Sequence, residues 1–259
     1  MLQNFDIILV RPQQSGNVGS VARSISNHGF RKLILVDPPH LDIEHARWMA
    51  PHAKHVIDES LYVSDIHLGV ATSHIVFGTT ARRRSWDIPH LELQDFLDMV
   101  YQKVQKTPDI RISLVFGPED SGLSNQDLSF CQYTVALPTV ENASLNLGQA
   151  VNVFGSQILH YFCQKKTEQE IVSDVNEHET SSIPISQKIF HSITERTLSI
   201  LAGSGYLDAK NPLQIRHQIL RFLSQSNLSK KDISIISGMT NKVYHKLRIL
   251  GYIQDDIQK

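Results

Sequence analysis

Four short runs in the first half of the chain are apolar almost without a break: Ile7-Ile8-Leu9-Val10, Leu33-Ile34-Leu35-Val36, Ile75-Val76-Phe77 and Ile112-Ser113-Leu114-Val115-Phe116. A strand with one wet face alternates apolar and polar positions. These runs hardly alternate, so they predict strands of a parallel sheet covered on both faces. Between them the spacing becomes helical. Val18 to Gly29 and Leu91 to Lys106 have the length of crossover helices, and Asn146 to Gln164 carries apolar residues at helical intervals. Gly29, Pro38-Pro39 and Pro108 punctuate the pattern. The alternation predicts a doubly wound α/β domain.

Past Cys163 the character changes. Residues 164 to 185 are polar and mostly acidic, with Glu168, Glu170, Asp174, Glu177 and Glu179, and read as a linker. Beyond them Ile189, Ile193, Leu198 and Leu201, then Ile215, Ile219, Leu220 and Leu223, then Ile233, Ile236, Val243, Leu247 and Leu250 recur at helical spacing. That predicts a unit of three or four helices. The organisation expected is an α/β domain over 1–163, a linker over 164–185 and a helical unit over 186–259.

Composition changes this picture in two places. With 41% hydrophobic and 20% charged residues among 259, the chain should fold as an ordinary globular protein. The start, Met1 to Asp6, lacks a basic region and a cleavage signal, and no apolar run approaches the length of a membrane span. A cytoplasmic location is expected. Cys131 and Cys163 form no CxxC pair and read as reduced, buried thiols. The net charge of −1 argues against a nucleic-acid ligand, but it averages over a strong asymmetry. Residues 186–259 hold 11 Lys and Arg against 5 Asp and Glu, net +6, while 1–185 hold 14 against 21, net −7.

Four loops carry candidate chemistry. Ser15 to Arg23 follows the first strand and opens a helix, where free N–H groups and glycines can receive a phosphate, with Arg23 one helical turn inside. Phe116-Gly117-Pro118-Glu119-Asp120-Ser121-Gly122-Leu123 runs from a strand into a loop with two glycines, which lets backbone approach a ligand, and Ser124 should cap a helix beginning near Asn125. Leu137 to Val151 sets Ser144 and a buried-looking Asn146 at the head of an apolar helix. Phe77 to Arg84 ends a strand at the carboxyl edge, where open α/β sheets bind ligands, and its Arg82, Arg83 and Arg84 could meet phosphate. His45, His52 and His55 invite a metal reading, but Pro51 interrupts any regular helical face and no carboxylates accompany them, so no metal is expected.

Taken together, the patterns NxGxxxR, FGxExxGL and SLNLxxAV resemble the SPOUT superfamily of S-adenosylmethionine-dependent RNA methyltransferases, and within it the TrmH-type ribose 2′-O-methylases. Over nearly the whole chain the resemblance is to the bacterial TrmJ branch, which joins such a domain through an acidic linker to a small helical domain. It implies a parallel α/β sheet with a trefoil knot, a homodimer whose active site is completed at the interface, no membrane, and tRNA as partner. The reaction implied is methylation of the ribose 2′-hydroxyl at nucleotide 32, cytidine or uridine, of the anticodon loop.

For the cofactor the resemblance implies Thr79, Thr80, Ala81, Gly117, Leu137, Ala143, Ser144 and Leu145. Arg23, Ser144 and Asn146 are implied as catalytic, and Asn17, Arg23, Arg82, Arg84 and Glu119 as substrate-binding. Glu119 and Asn17 should also bond between loops. Pro118 and Asp120 stand where close relatives often carry arginines, and Asn142-Ala143 replaces a Tyr-Ser pair. The motifs point to the reaction and the cofactor more firmly than to the RNA. Ribosomal RNA is the alternative substrate, and a non-catalytic RNA-binding module of the same fold is a further reading, against which Arg23 and Ser144-Leu145-Asn146 argue. A nicotinamide-dependent oxidoreductase would need a GxGxxG after the first strand, which is missing.

Overall fold

The computed structural model describes residues 2–80, 88–140, 144–172, 187–206, 212–225 and 230–252. In chain order the elements are β1 (Phe5–Val10), α1 (Ser15–His28), β2 (Lys32–Val36), α2 (Ile43–Met49), α3 (Lys54–Asp58), β3 (Leu61–Val63), α4 (Ile66–Gly69), β4 (Ile75–Thr79), β5 (His90–Leu91), α5 (Leu93–Lys106), β6 (Ile112–Phe116), α6 (Asn125–Leu128), β7 (Tyr133–Val135), α7 (Leu147–Val172), α8 (Gln187–Gly203), α9 (Pro212–Gln225) and α10 (Lys230–Ile249).

The seven strands form one parallel sheet in the order β3-β2-β1-β6-β4-β7-β5. The unbroken apolar runs follow from its burial on two sides. Phe5, Ile7 and Leu9 of β1 belong to the larger core under α1, α5 and α7, while Ile8 and Val10 point to the other face, with Val76, Val115, Ile66 and Leu128. Asp6 interrupts β1, fully buried and ion-paired with Arg31. Burial raises its carboxyl above the usual range against the opposing pull of Arg31.

The strand order reverses between β1 and β6, so the loops leaving β1, β4, β6 and β7 collect at one carboxyl edge. That is where an open α/β sheet has room for a ligand. Two expectations are corrected. Helix α7 continues nine residues past Cys163, to Val172, through sequence read as linker. Cys131 is buried as expected, but Cys163 is exposed: Ile158, Tyr161 and Phe162 take the core side of α7 and leave Cys163 on its outer side.

Three C-terminal helices appear among the described residues, with Phe190, Ile193, Leu220 and Ile233 at their core. They touch the α/β domain on the α4 and α6 side. The Lys188 N–H donates to the Ala71 carbonyl at 3.1 Å, His191 stacks on His67 at 5.3 Å, and the Arg216 guanidinium lies 4.6 Å from the centre of the Phe130 ring.

Candidate active site

At the carboxyl edge lies an open cavity of about 340 Å³, within the range of small-molecule sites. Thr79 and Thr80 enter it from the end of β4, Gly117 from β6, Leu137 from the segment after β7, and Ser144 and Leu145 from the approach to α7. These are six of the eight residues expected to hold a cofactor. The other two, Ala81 and Ala143, lie outside the described residues, as do Arg82 and Arg84. The apolar wall was not anticipated: Phe116, Val135, Leu147 and Phe154 build it from three different elements. Thr79 turns its hydroxyl back into the sheet, donating to the Val115 carbonyl at 3.0 Å, and Thr80 N–H is held by the Val135 carbonyl.

The loop after β6 is folded on itself. Gly122 has φ +67° and donates its N–H to the Pro118 carbonyl at 2.9 Å. Gly117 sits so close to the backbone of Gly122 and Leu123 that any Cβ there would collide with it. The loop ends in a capping box, with Ser124 Oγ accepting from Asp127 N–H and the Asp127 carboxylate accepting from Ser124 N–H. The sequence reading of Ser124 is the observed one.

Glu119 links this loop to the β1–α1 segment. Its carboxylate accepts from the N–H groups of Gln13 and Gln14, at 2.8 and 3.1 Å, and from Asn17 Nδ2 at 2.8 Å. Helix α1 has no side-chain cap and no acid in its first turn, so Glu119 supplies from another loop the negative charge that a helix N-terminus favours. Asn17 Oδ1 in turn accepts from Asn146 Nδ2 at 2.9 Å. Asn146 is exposed rather than buried, and its Oδ1 caps α7 by accepting from Gly148 N–H at 3.0 Å. The three motifs are thus joined by one chain of hydrogen bonds, Glu119 to Asn17 to Asn146. This chain accounts for the polar residues there without putting Asn17 or Asn146 in the cavity.

Arg23 does not line the cavity. Val18, Val21, Ala22 and Ile25 turn α1 toward the sheet, and Arg23 is on the exposed side. The expected catalytic set therefore does not converge within a single chain: Ser144 is at the cavity, Asn146 beside it, and Arg23 outside.

Two residues that the sequence reading passed over lie under the loop. Arg11, at the end of β1 with φ 47°, reaches Asp127 with Nη2 to Oδ2 at 2.6 Å. Asp127 is 4% exposed. The signal for Asp127 was its place three residues after Ser124, the spacing of a capping box. Nothing local marked Arg11. Among the described residues no group of three or more His, Cys, Asp or Glu is arranged to hold a metal; His45 is stacked against the exposed Trp48. Cys131, fully buried at the foot of β7, has its thiol pushed far up by desolvation and by Asp127, which makes it inert.

Comparison with known proteins agrees with this geometry. Residues 4–156 match the model of the SpoU rRNA Methylase family. A tRNA (cytidine/uridine-2'-O-)-methyltransferase TrmJ from Photorhabdus laumondii is 30% identical over 246 residues, covering 94% of this chain and 98% of its own. A tRNA (cytidine/uridine/adenosine-2'-O-)-methyltransferase TrmJ from Pseudomonas aeruginosa is 27% identical over 261 residues, covering 99% and 100%. The crystal structure of TrmJ from Z. mobilis ZM4 superposes with a TM-score of 0.73 at 22% identity, covering 92% of this chain and 98% of that one, and so shares the fold.

Proposed function

Since the chain belongs to the SpoU methylase family, we propose that it is an S-adenosylmethionine-dependent tRNA methyltransferase acting on the 2′-hydroxyl of nucleotide 32 in the anticodon loop, a cytidine or uridine. The observation that carries the reading is the cavity itself, built at the carboxyl edge of the sheet where the loops after β4, β6 and β7 meet. Its lining fits the cofactor. Phe116, Val135 and Phe154 offer apolar surface, and the closed turn at Gly117 brings main-chain groups to the rim where a side chain would block them.

S-adenosylmethionine would supply an electrophilic methyl group on a sulfonium. The protein must then align the ribose oxygen in line with that methyl and help a weakly acidic hydroxyl lose its proton. A guanidinium is a poor base, so the role of Arg23 is to orient the hydroxyl and stabilise developing negative charge, the proton leaving to phosphate or water. Because Arg23 is on the outer side of α1, it would serve the cavity of a second copy, in a homodimer whose sites are completed at the interface. Ser144 at the cavity rim is read as a cofactor and catalytic contact, and Arg82 and Arg84 as contacts to RNA. The segments after β6 and β7 are read as a trefoil knot, and the C-terminal helices, with their basic surplus, as the RNA-binding unit.

The test is to incubate the full chain with tRNA and S-adenosylmethionine and map 2′-O-methylated nucleotides. A single new methyl at nucleotide 32 is expected. Methylation of a ribosomal RNA fragment in preference to tRNA, or none on either, would overturn the assignment. The adenosine in the name of the Pseudomonas aeruginosa relative makes tRNAs with A, C and U at that nucleotide the natural panel.

A further inference from the structure

The loop that forms one wall of the cavity, residues 117–124, hangs between two attachments, and both are on the same short segment, residues 11–17. At its near end Glu119 takes Gln13 N–H, Gln14 N–H and Asn17 Nδ2. The neighbouring Asp120 is held below the usual carboxylate range by hydrogen bonds from Gln13 and Ser121. At the far end Asp127 receives Arg11 Nη2 at 2.6 Å, Ser124 N–H at 2.8 Å and Ser124 Oγ at 2.7 Å, all on the single oxygen Oδ2. One oxygen therefore joins Arg11 to the residue that closes the loop.

Arg11 is itself firmly set. It is one of two non-glycine residues with positive φ among those described, and its N–H donates to the Val36 carbonyl of the neighbouring strand at 2.8 Å. A non-glycine residue in the left-handed region is uncommon, and it persists where surrounding structure holds it. The consequence is directional: the turn at Arg11 sends its side chain across the end of β6 toward α6. The Arg11 side chain is 39% exposed but its partner Asp127 only 6%, so loss of Arg11 leaves a buried carboxylate with one donor fewer, and folding stability has to be read beside cofactor binding.

We propose that Arg11 is a positioning residue for the cofactor site: through Asp127 it fixes the closing end of the 117–124 loop, as Glu119 fixes the near end. This rests on the reading of the cavity as the S-adenosylmethionine site. Arg11 lines no part of that cavity. It acts on Gly117, Gly122 and Leu123 only by holding the loop they belong to.

The test uses the full chain as R11M, R11K and D127N, with binding of S-adenosylmethionine measured by calorimetry in the absence of RNA, and with turnover measured separately at saturating cofactor. R11M and D127N are expected to weaken cofactor binding about tenfold and to leave turnover at saturation within about twofold. R11K, which keeps one charged donor but not the planar fork, should recover most of the loss. The double variant R11M/D127N should bind no worse than the weaker single variant, because the two residues act as one unit. Thermal melts of each variant identify any that fail to fold, and R11K with D127N then carries the result without R11M. Cofactor affinity within twofold of wild type in folded R11M and D127N would overturn the proposal, as would a loss confined to RNA affinity, which would make Arg11 a phosphate contact. Failure of the wild type to bind S-adenosylmethionine would instead overturn the reading of the cavity.

Discussion

Gly117 and Arg23 sit on opposite sides of the proposed chemistry, and their substitution should separate binding from turnover. Gly117 has backbone of Gly122 and Leu123 against the place a Cβ would take, so Gly117→Ala must open the closed turn to fit. Since that turn forms a wall of the cavity, the expected result is a loss of S-adenosylmethionine affinity of 30-fold or more, on the order of 2 kcal/mol, read by calorimetry. An affinity within threefold of wild type would mean the loop does not hold the cofactor. Arg23 is exposed and away from the cavity. Arg23→Ala is therefore expected to leave cofactor affinity unchanged and to cut turnover at least a hundredfold, the scale of losing a transition-state hydrogen-bond donor. If Arg23→Lys turns over like wild type with the same tRNA affinity, the orienting role of the planar guanidinium is lost. The sequence named both residues through spacing in a motif. It could not say that they lie apart, because the face of α1 on which Arg23 falls depends on which residues the sheet buries.

Elements were legible in proportion to their burial. Strands β1, β2, β4 and β6 stood out because each is covered on both faces, and helices α1, α5 and α7 because they keep helical spacing against one core. The edge strands β3 and β5, of 3 and 2 residues, and the 3-residue β7 are too short to show a period. β7 nonetheless builds the site, through Val135 in the cavity wall and its carbonyl on Thr80. The start of α7 was read correctly in place and wrongly in cause: Asn146 is polar because it caps the helix and joins α1, not because it is buried. That double role is separable. Asn146→Ala removes the cap and the bridge to Asn17, and is expected to lower the melting temperature by roughly 2–4 °C for about 1 kcal/mol of lost capping, and also to slow methyl transfer. Asn146→Asp keeps an acceptor for Gly148 N–H but gives Asn17 a second acceptor opposite Glu119, so only one of them can be satisfied. It should melt close to wild type and still transfer slowly. Equal activity of Asn146→Asp and wild type would show that the bridge between the motifs is idle.

At the scale of the whole molecule, the sheet domain and the C-terminal helices meet through groups that titrate. The His191 imidazole of α8 stacks on His67 of α4, contacts Phe130, and lies 2.8 Å from an Arg216 nitrogen of α9, while Asp65 bonds His67 at 2.6 Å and Glu195 pairs with Arg216. Burial in this joint, and then the positive charges of Arg216 and His67, hold the His191 pKa down to about 4 against the opposing pull of Asp65. Undocking removes the cover of the sheet domain and the charge of His67 but leaves Arg216 beside the ring, so the imidazole then titrates above its docked value, toward the ordinary one of about 6.5. A depressed histidine favours the docked state fully above that ordinary value, and the advantage fades as pH falls from 6.5 toward 4, where the free ring takes a proton the docked ring resists. The helical unit should therefore hold to the sheet domain at pH 7.5 and loosen by pH 5. Hydrogen exchange followed by mass spectrometry checks this: amides of α8 and of the segment around Phe130 should exchange faster at pH 5, after correction for intrinsic rates, while those of β1 and β6 stay protected. His191→Asn, neutral at both pH values, should flatten the difference. A difference of the same size in His191→Asn would show that the pH response does not come from His191. Because Phe130 follows α6, whose capping box includes the Asp127 that Arg11 holds, loosening the joint at low pH should also reach the cofactor loop and weaken S-adenosylmethionine binding, less in His191→Asn than in wild type.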